Sequence, residues 1–289
     1  MRALAILALA AALLAAAGLW LTRSQAFAAS EWDLTGDPAA GERIFHLAGC
    51  AGCHSAEGAE GDERLVLGGG RRFVSPFGTF VVPNISSDPD VGIGDWTDAE
   101  LASAIMLGTG RDGAHLYPSF PYAAYGLAER QDIADLIAYL RGLPPSGTLS
   151  EPHELPFPFN IRAGLGLWKA LSVPDHLSET GPAQGRYLVE ALSHCAECHT
   201  PRNSIGGLNR TSWMAGAPNP SGDGRIPGIT PAQLGWSEAD VAYYLETGLT
   251  PEFDSAGGHM AEVVLSLSQV PDEDRAAIAA YVKTLPPVE

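Results

Sequence analysis

The chain has 289 residues, a formal net charge of −17 at pH 7 and four cysteines. A chain of this length is typical of about two domains. The strong negative charge excludes nucleic acid as a partner, because a phosphate backbone repels an acidic surface.

The first element in chain order is an apolar amino-terminal segment. Met1-Arg2 precedes an uncharged apolar run from Ala3 to Leu21, which is the layout of an export signal. Ala26-Phe27-Ala28 fits a small-x-small cleavage site, whereas the length of the run approaches that of a membrane-spanning helix. A cleaved signal and a retained membrane anchor both fit, and the length favours the anchor. Residues 1–30 therefore predict a protein on the periplasmic side of the bacterial inner membrane, anchored there or soluble after cleavage.

Two Cys-x-x-Cys-His motifs use every cysteine of the chain. Their defining residues are Cys50, Cys53, His54, Cys195, Cys198 and His199. Two thiols one helical turn apart can each form a thioether with a haem vinyl group, and the adjacent histidine can ligate the iron. A zinc site usually takes four ligands from one compact unit, and a thioredoxin-like pair has no use for the histidine. The motifs therefore predict two covalently bound haem c groups in a protein that moves electrons.

The segments after the two motifs repeat the same order of signals, so each half of the chain is predicted to be one domain. Val82–Ser86 corresponds to Ile226–Thr230, and a tryptophan follows in each half. After each tryptophan, Thr97 and Ser237 are predicted N-caps, with an acidic residue three positions later to complete a capping box.

Each half closes with an amphipathic helix, predicted at 132–140 and 274–282, that a Leu-Pro-Pro sequence ends. No convincing strand pattern appears, so the predicted fold class is all-α. After the leader, the predicted segments are a first domain at 31–147, a proline- and aromatic-rich linker at 148–180, and a second domain at 181–289. The linker is too proline-rich for regular structure and is expected to pack between the domains.

A six-coordinate haem needs a second iron ligand on its distal side. Met260 lies well beyond His199 in the chain, on a loop just before the closing helix, and is the predicted distal ligand of the second haem. The adjacent His259 is the alternative. Met214 follows His199 too closely for the chain to pass round the haem, and is predicted to be a packing residue.

The first half has no methionine at the corresponding place. Aligning the closing helices puts Pro118 opposite Met260. Met106 lies in an apolar run typical of a core, whereas His115 follows His54 at the same interval by which Met260 follows His199. His115 is therefore a candidate distal ligand of the first haem. A hydrogen-bonding role for this histidine, ligation by Met106 and an open coordination position are the alternatives.

The sequence resembles exported dihaem cytochromes c, which are related to the cytochrome subunits of periplasmic alcohol, aldehyde, gluconate and xanthine-type dehydrogenases. The strings that carry the resemblance are Cys50–His54, Ser75–Phe80, Val82–Ser86, His115–Pro118, Cys195–Asn203 and Gly258–Val264. The resemblance implies two tandem class I cytochrome c domains, each helical and each with one haem, and it carries over Met260 as a distal ligand. Many relatives have a methionine at or near Phe120, or near Leu127 and Ala128, where this chain has none.

The resemblance also implies a function, the transfer of electrons from a dehydrogenase to quinone, another cytochrome or a terminal oxidase. The sequence contains no nucleotide-binding glycine fingerprint, no nucleophile motif and no separate metal site, which favours an electron-transfer subunit without substrate chemistry of its own. The alternative is a dihaem peroxidase or another haem oxidoreductase in which the first haem has an open position. His115 and Asp112 are the nearest acid–base candidates for that chemistry.

Overall fold

The computed structural model describes residues 2–220, 222 and 224–288. Most of the regular structure is helical, beginning with helix α1 at Arg2–Leu21. The helices of the first half are α2 (Pro38–Leu47), α3 (Cys50–His54), α4 (Asp98–Leu107), α5 (Tyr122–Tyr125) and α6 (Arg130–Gly142). Those that follow are α7 (Gly164–Ser172), α8 (Ala183–Tyr187), α9 (Ala196–His199), α10 (Glu238–Thr247), α11 (His259–Leu267) and α12 (Asp272–Val282). In the part of the chain that the structure describes, no helix combines the length and apolar character needed to cross a membrane.

The predicted starts of two helices are confirmed. Thr97 caps α4 by accepting a hydrogen bond from the backbone N–H of Glu100, and Ser237 caps α10 in the same way from Asp240. In both places the acidic side chain accepts the cap residue's own N–H, which completes a capping box. The matching caps give the corresponding helices of the two halves the same starting point.

The structure adds two short hairpins to the mostly helical fold that the sequence predicted. β1 (Arg72–Ser75) pairs with β2 (Gly78–Val81), and β3 (Ala217–Pro218) pairs with β4 (Arg225–Ile226), both antiparallel. Strands of four and two residues are too short to show the period-two alternation by which strands are recognised in a sequence. The second hairpin lies in a glycine-rich stretch that the sequence alone indicates as a loop.

A helix crossing is repeated in the two halves and brings the first helix of each half against the last. Gly41 of α2 lies so close to α6 that a Cβ atom there would be 2.0 Å from the carbonyl oxygen of Asp135. Gly185 of α8 would place a Cβ 1.9 Å from the carbonyl oxygen of Ala277 in α12. Only a residue without a side chain allows the backbones to approach this closely. The crossing therefore fixes the position of the Cys-x-x-Cys-His motif that follows in each half.

In each half, a break in the helix separates the helix that begins the half from its cysteines. Gly49, at a φ of 63°, separates α2 from α3. In the second half a π-helical turn at Leu188–Leu192 follows α8, and His194 at a φ of 41° precedes Cys195. Both breaks use the left-handed region, which turns the chain so that each motif forms its own short helical segment.

The linker has regular structure and contacts both halves. Its central part forms α7, because the residues after Ile161 contain no proline until Pro174 and favour a helix despite the prolines that precede them. The Lys169 ammonium donates to the carbonyl oxygens of Leu107 and Gly108 at 2.7 and 2.6 Å, at the end of α4. On the other side, Trp168 Nε1 donates to the carbonyl of Ile205 at 3.0 Å.

The two halves meet through equivalent positions. Arg43 of α2 forms two hydrogen bonds, of 2.6 and 2.7 Å, with the carboxylate of Asp274 in α12. At the corresponding place, the hydroxyl of Tyr187 in α8 donates to the carboxylate of Asp132 in α6 at 2.5 Å. Arg43 and Tyr187 each lie two residues after a crossing glycine, and Asp132 and Asp274 are each the third residue of a closing helix. The halves therefore pack like the subunits of a two-fold symmetric dimer.

Candidate functional site

The histidines of the two motifs have the same environment. His54 Nδ1 lies 2.9 Å from the carbonyl oxygen of Pro83, and His199 Nδ1 lies 2.8 Å from that of Pro227. A carbonyl can only accept, so Nδ1 must carry the proton, and the neutral ring then presents the lone pair of Nε2. A metal-ligating histidine is commonly oriented in this way by a hydrogen bond to its other nitrogen.

Burial holds these histidines in the neutral form that ligates a metal. Removal from water lowers the pKa of His54 to about 4, although the hydrogen bond to Pro83 opposes the shift. Burial also lowers the pKa of His199, and its bond to Pro227 opposes this. Both rings are therefore available at neutral pH without first losing a proton.

The four thiols are arranged in matching pairs. Cys50 and Cys195 are half-buried, whereas Cys53 and Cys198 are exposed, and none of the four is in a disulfide. Burial raises the pKa of both Cys50 and Cys195 to about 12. Each motif thus offers two protonated thiols on a single turn beside an oriented imidazole, which fits the covalent attachment of a haem.

Backbone hydrogen bonds define which residues of the two halves correspond before the closing helices. The glycine after α4, Gly108, accepts from Leu116 at 2.8 Å, and Gly248 after α10 accepts from Ala256 at 2.7 Å. Further on, Phe120 N–H donates to Tyr117 O, and Met260 N–H donates to Gly257 O. The same offset along the chain relates each of these residues to its equivalent, so Phe120, and not Pro118, corresponds to Met260.

Met260 and Phe120 are both partly buried against the core. Met260 is the second residue of α11, so it lies at the start of a helix and not on the predicted loop. The neighbouring His259 is exposed and its ring centre lies 5.5 Å from that of Phe73 in the first half. Met106 and Met214 are buried core residues, 7% and 0% exposed. The packing role predicted for Met214 is confirmed.

His115 lies in the loop before α5, at the position that corresponds to Ser255 and therefore ahead of the equivalent of Met260. Its Nε2 is 2.9 Å from the carbonyl oxygen of Thr22, and its own carbonyl accepts from Arg162. Its buried Nδ1 has no hydrogen-bond partner among the described residues. The structure therefore joins His115 to the segment after α1 and does not place it at the position of Met260.

A charged cluster from both halves surrounds the first motif. We call it the Glu262 cluster, and it consists of Glu262 of α11 with Arg64 and Arg71. Glu262 Oε2 lies 2.7 Å from Arg64 Nη1, and Oε1 lies 3.5 Å from Arg71 Nη1. Arg71 also donates to the carbonyl of Gly52, inside the motif. Burial raises the pKa of the Cys53 thiol, Arg71 lowers it and Glu262 raises it, so both charges act at the attachment site.

Sequence reasoning did not identify the partners of the motif histidines or the residues between the halves. The carbonyls of Pro83 and Pro227 lie 29 and 28 residues after their histidines, so the recurrence of Ile/Val-Pro at this interval was the available signal. No comparable signal exists for Glu262 or for His194, because their partners belong to the other half of the chain.

Comparison with known proteins gives a consistent family. The profile of the cytochrome c family matches residues 38–144. A protein of Cereibacter sphaeroides described as "Diheme cytochrome c-type" is 56% identical over 284 residues, which cover 95% of each chain.

Longer relatives include the fructose dehydrogenase cytochrome subunit of Gluconobacter japonicus, 39% identical over 85% of this chain and 52% of the relative. Another is the gluconate 2-dehydrogenase cytochrome c subunit of Pantoea cypripedii, 31% identical over 85% of this chain and 58% of the relative. This chain thus spans little more than half the length of these two subunits. The oriented motif histidines, the helical architecture and a full-length relative agree, and the chain belongs to the dihaem c-type cytochromes, electron-transfer proteins with covalently attached haem.

Proposed function

We propose that this protein relays electrons from a periplasmic dehydrogenase to quinone, another cytochrome or a terminal oxidase. The observation that carries the proposal is that each half contains a Cys-x-x-Cys-His motif whose histidine is hydrogen-bonded to a proline carbonyl. A hydrogen bond across the interface connects the segments before the two motifs. Relatives that are named as dehydrogenase cytochrome subunits support a dehydrogenase as the donor. The acidic character of the chain favours encounter with a basic partner surface.

Two haem c groups are assigned to the two motifs. Cys50 and Cys53 would hold one through thioethers, with His54 as its proximal ligand. Cys195 and Cys198 would hold the other, with His199. When bound, each haem supplies a one-electron iron couple whose potential depends on axial ligand, burial and nearby charge. The chain's own contribution is to fix each imidazole through Pro83 or Pro227 and to surround the site with a packed core.

The two sites are proposed to differ in their distal ligand. Met260 is assigned to the second haem, where a thioether opposite histidine stabilises ferrous iron and raises the potential. Phe120 occupies the corresponding position in the first half and has no atom that can ligate iron. We assign an open or weakly occupied distal position to the first haem, because His115 contacts Thr22 and Met106 is buried in the core.

We also propose that the segment after α1 is retained in the mature protein, on the periplasmic side. Two of its contacts support this. Thr22 contacts His115, and the N–H of Phe27 donates to the buried Ser103 hydroxyl at 2.9 Å. Cleavage after Ala28 would remove both contacts. The amino-terminal sequence and mass of protein purified from bacterial membranes and periplasm test this. Retention predicts a chain that includes Thr22, and a mature end at Ala29 would contradict it.

The test of the proposed ligation is low-temperature electron paramagnetic resonance of the oxidised protein, combined with Met260→Ala. We expect one low-spin and one high-spin ferric signal in the unaltered protein. Met260→Ala should convert the low-spin signal to a high-spin signal. It should also lower the reduction potential of the second haem and allow carbon monoxide to bind there. An unchanged spectrum in Met260→Ala would refute this ligand. Rapid peroxide turnover at the open haem with a reduced donor would favour the peroxidase alternative instead.

A further inference from the structure

The residue before the first cysteine differs between the halves in a way that its backbone does not explain. Gly49 before Cys50 and His194 before Cys195 both have positive φ values, 63° and 41°. Glycine adopts this region freely, whereas a histidine there is uncommon. A side chain that is kept at a position suited to glycine is a reason to examine what that side chain contacts.

The His194 side chain reaches across the interface to the other haem motif. Its Nε2 lies 3.2 Å from the carbonyl oxygen of Ala48, and because a carbonyl accepts, Nε2 donates. Ala48 precedes Cys50 by two residues. The same carbonyl accepts from the hydroxyl of Tyr125 at 3.1 Å, and the rings of Tyr125 and His194 are 5.6 Å apart. The segments just before the two motifs therefore meet at the Ala48 carbonyl, which Tyr125 and His194 share as an acceptor.

This contact creates a short connected route between the two attachment sites. The route runs from Cys195 through the adjacent His194, across one hydrogen bond to Ala48, and through Gly49 to Cys50. Every other step on it is covalent. Electron tunnelling weakens less steeply through bonds than across gaps, so a route with a single non-covalent step couples two redox centres better than unconnected atoms at the same separation.

We propose that His194 is a positioning residue for electron transfer between the two haem sites, acting through its hydrogen bond to the carbonyl of Ala48. The inference rests on the proposed function, in which both motifs carry haem. In the step itself, one electron leaves the reduced site and reduces the oxidised site. No bond is made or broken, and the imidazole of His194 is neither oxidised nor reduced.

The experiment measures the rate of electron transfer between the haems after rapid one-electron photoreduction of the oxidised full-length protein. The variants are His194→Gly, His194→Gln and Tyr125→Phe. Glycine suits the backbone and restores the sequence of the first half, glutamine offers a donor at a distance similar to Nε2, and phenylalanine removes the other donor to Ala48. Each variant is also examined for haem content, both reduction potentials and stability to guanidinium.

We expect His194→Gly to slow the transfer several-fold with both potentials unchanged. His194→Gln should recover most of the rate, and Tyr125→Phe should alter it little. A His194→Gly rate equal to that of the unaltered protein would overturn the inference. So would equal losses in His194→Gly and Tyr125→Phe, because these would indicate a general loosening of the interface. A single haem, or no transfer between haems, in the unaltered protein would instead refute the proposed function.

Discussion

At the scale of single residues, the two positions that we propose for the distal sides of the haems differ by one side chain in matching backbone turns. Phe120 and Met260 each donate their N–H to the residue three positions earlier, and both side chains are partly buried against the core. A thioether sulfur can ligate iron and a phenyl ring cannot. The difference between the two haem environments is therefore expected to be concentrated in this one exchange.

We predict that Phe120→Met gives the first haem a distal thioether ligand. Methionine is similar in size to phenylalanine and flexible enough to reach an iron from this turn. The high-spin ferric signal should disappear and the lower reduction potential should rise, as followed by paramagnetic resonance and redox titration. Leu127→Met, in the same half but after α5, tests the rival position for such a ligand. If Leu127→Met changes the spectrum and Phe120→Met does not, the correspondence between Phe120 and Met260 is wrong.

A second prediction at this scale concerns the charge of Glu262. It lies between Arg64 and Arg71, beside the first motif. Glu262→Gln removes a negative charge that stabilises the oxidised site, so the potential of the first haem should rise. Spectroelectrochemical titration measures the shift, and Glu252→Gln, an exposed carboxylate elsewhere, should cause none. A lower potential in Glu262→Gln would contradict this electrostatic role.

At the scale of elements, the crossing of the first and last helix decides the geometry of each half. Gly41 and Gly185 allow contact of a helix backbone with a carbonyl of the partner helix. Helix propensity alone would favour alanine at both positions by about 1 kcal/mol. Steric fit at the crossing therefore outweighs helix propensity at both glycines.

We predict that Gly41→Ala or Gly185→Ala lowers the free energy of unfolding by about 1–3 kcal/mol, the usual cost of overpacking. Gly142→Ala at the end of α6 is the control, because a Cβ there meets nothing within 4 Å. Guanidinium unfolding of the haem-loaded proteins gives the free energies. Stability equal to that of Gly142→Ala would mean that the crossing can widen without cost.

At the scale of the whole molecule, an internal repeat has assembled like a symmetric dimer within one chain. Arg43 with Asp274, and Tyr187 with Asp132, are the same contact made twice with different chemistry. The same interface also brings Ala48 and His194 together. These residues lie just before the two haem motifs, so the packing of the halves also joins the segments that carry the motifs.

The ion pair between Arg43 and the buried Asp274 joins the two halves, and its loss should destabilise the fold. In Arg43→Met, the Asp274 carboxylate, 1% exposed, loses both hydrogen bonds while it stays out of water. We expect a loss of roughly 2 kcal/mol in the free energy of unfolding, limited by the partial exposure of Arg43. Arg72→Met removes ion pairs with the exposed Glu151 and Glu154 and should change stability much less than Arg43→Met does. Equal losses in the free energy of unfolding for the two variants would show that the burial of Asp274 does not add to the cost of losing its partner.

The features that could be predicted from the sequence are those that depend on local chemistry. The spacing of cysteines and histidine in each motif, the capping boxes at Thr97 and Ser237, and the repeat of signals along the chain are all properties of neighbouring residues. They were sufficient for the cofactor class, the mostly helical fold and the family, because thioether attachment and helix capping each require particular residues at short, fixed intervals.

Which distant residues meet is known only from the folded chain. The second half is slightly longer than the first between the loop and the closing helix, and the sequence could not say on which side of Met260 the extra residues lie. Backbone hydrogen bonds place them after it, so Phe120 replaces Pro118 as its equivalent. The bond from His194 to Ala48 spans 146 residues and leaves no periodic trace in the chain. Contacts of this kind arise from how the two halves pack, and short-range patterns carry no information about them.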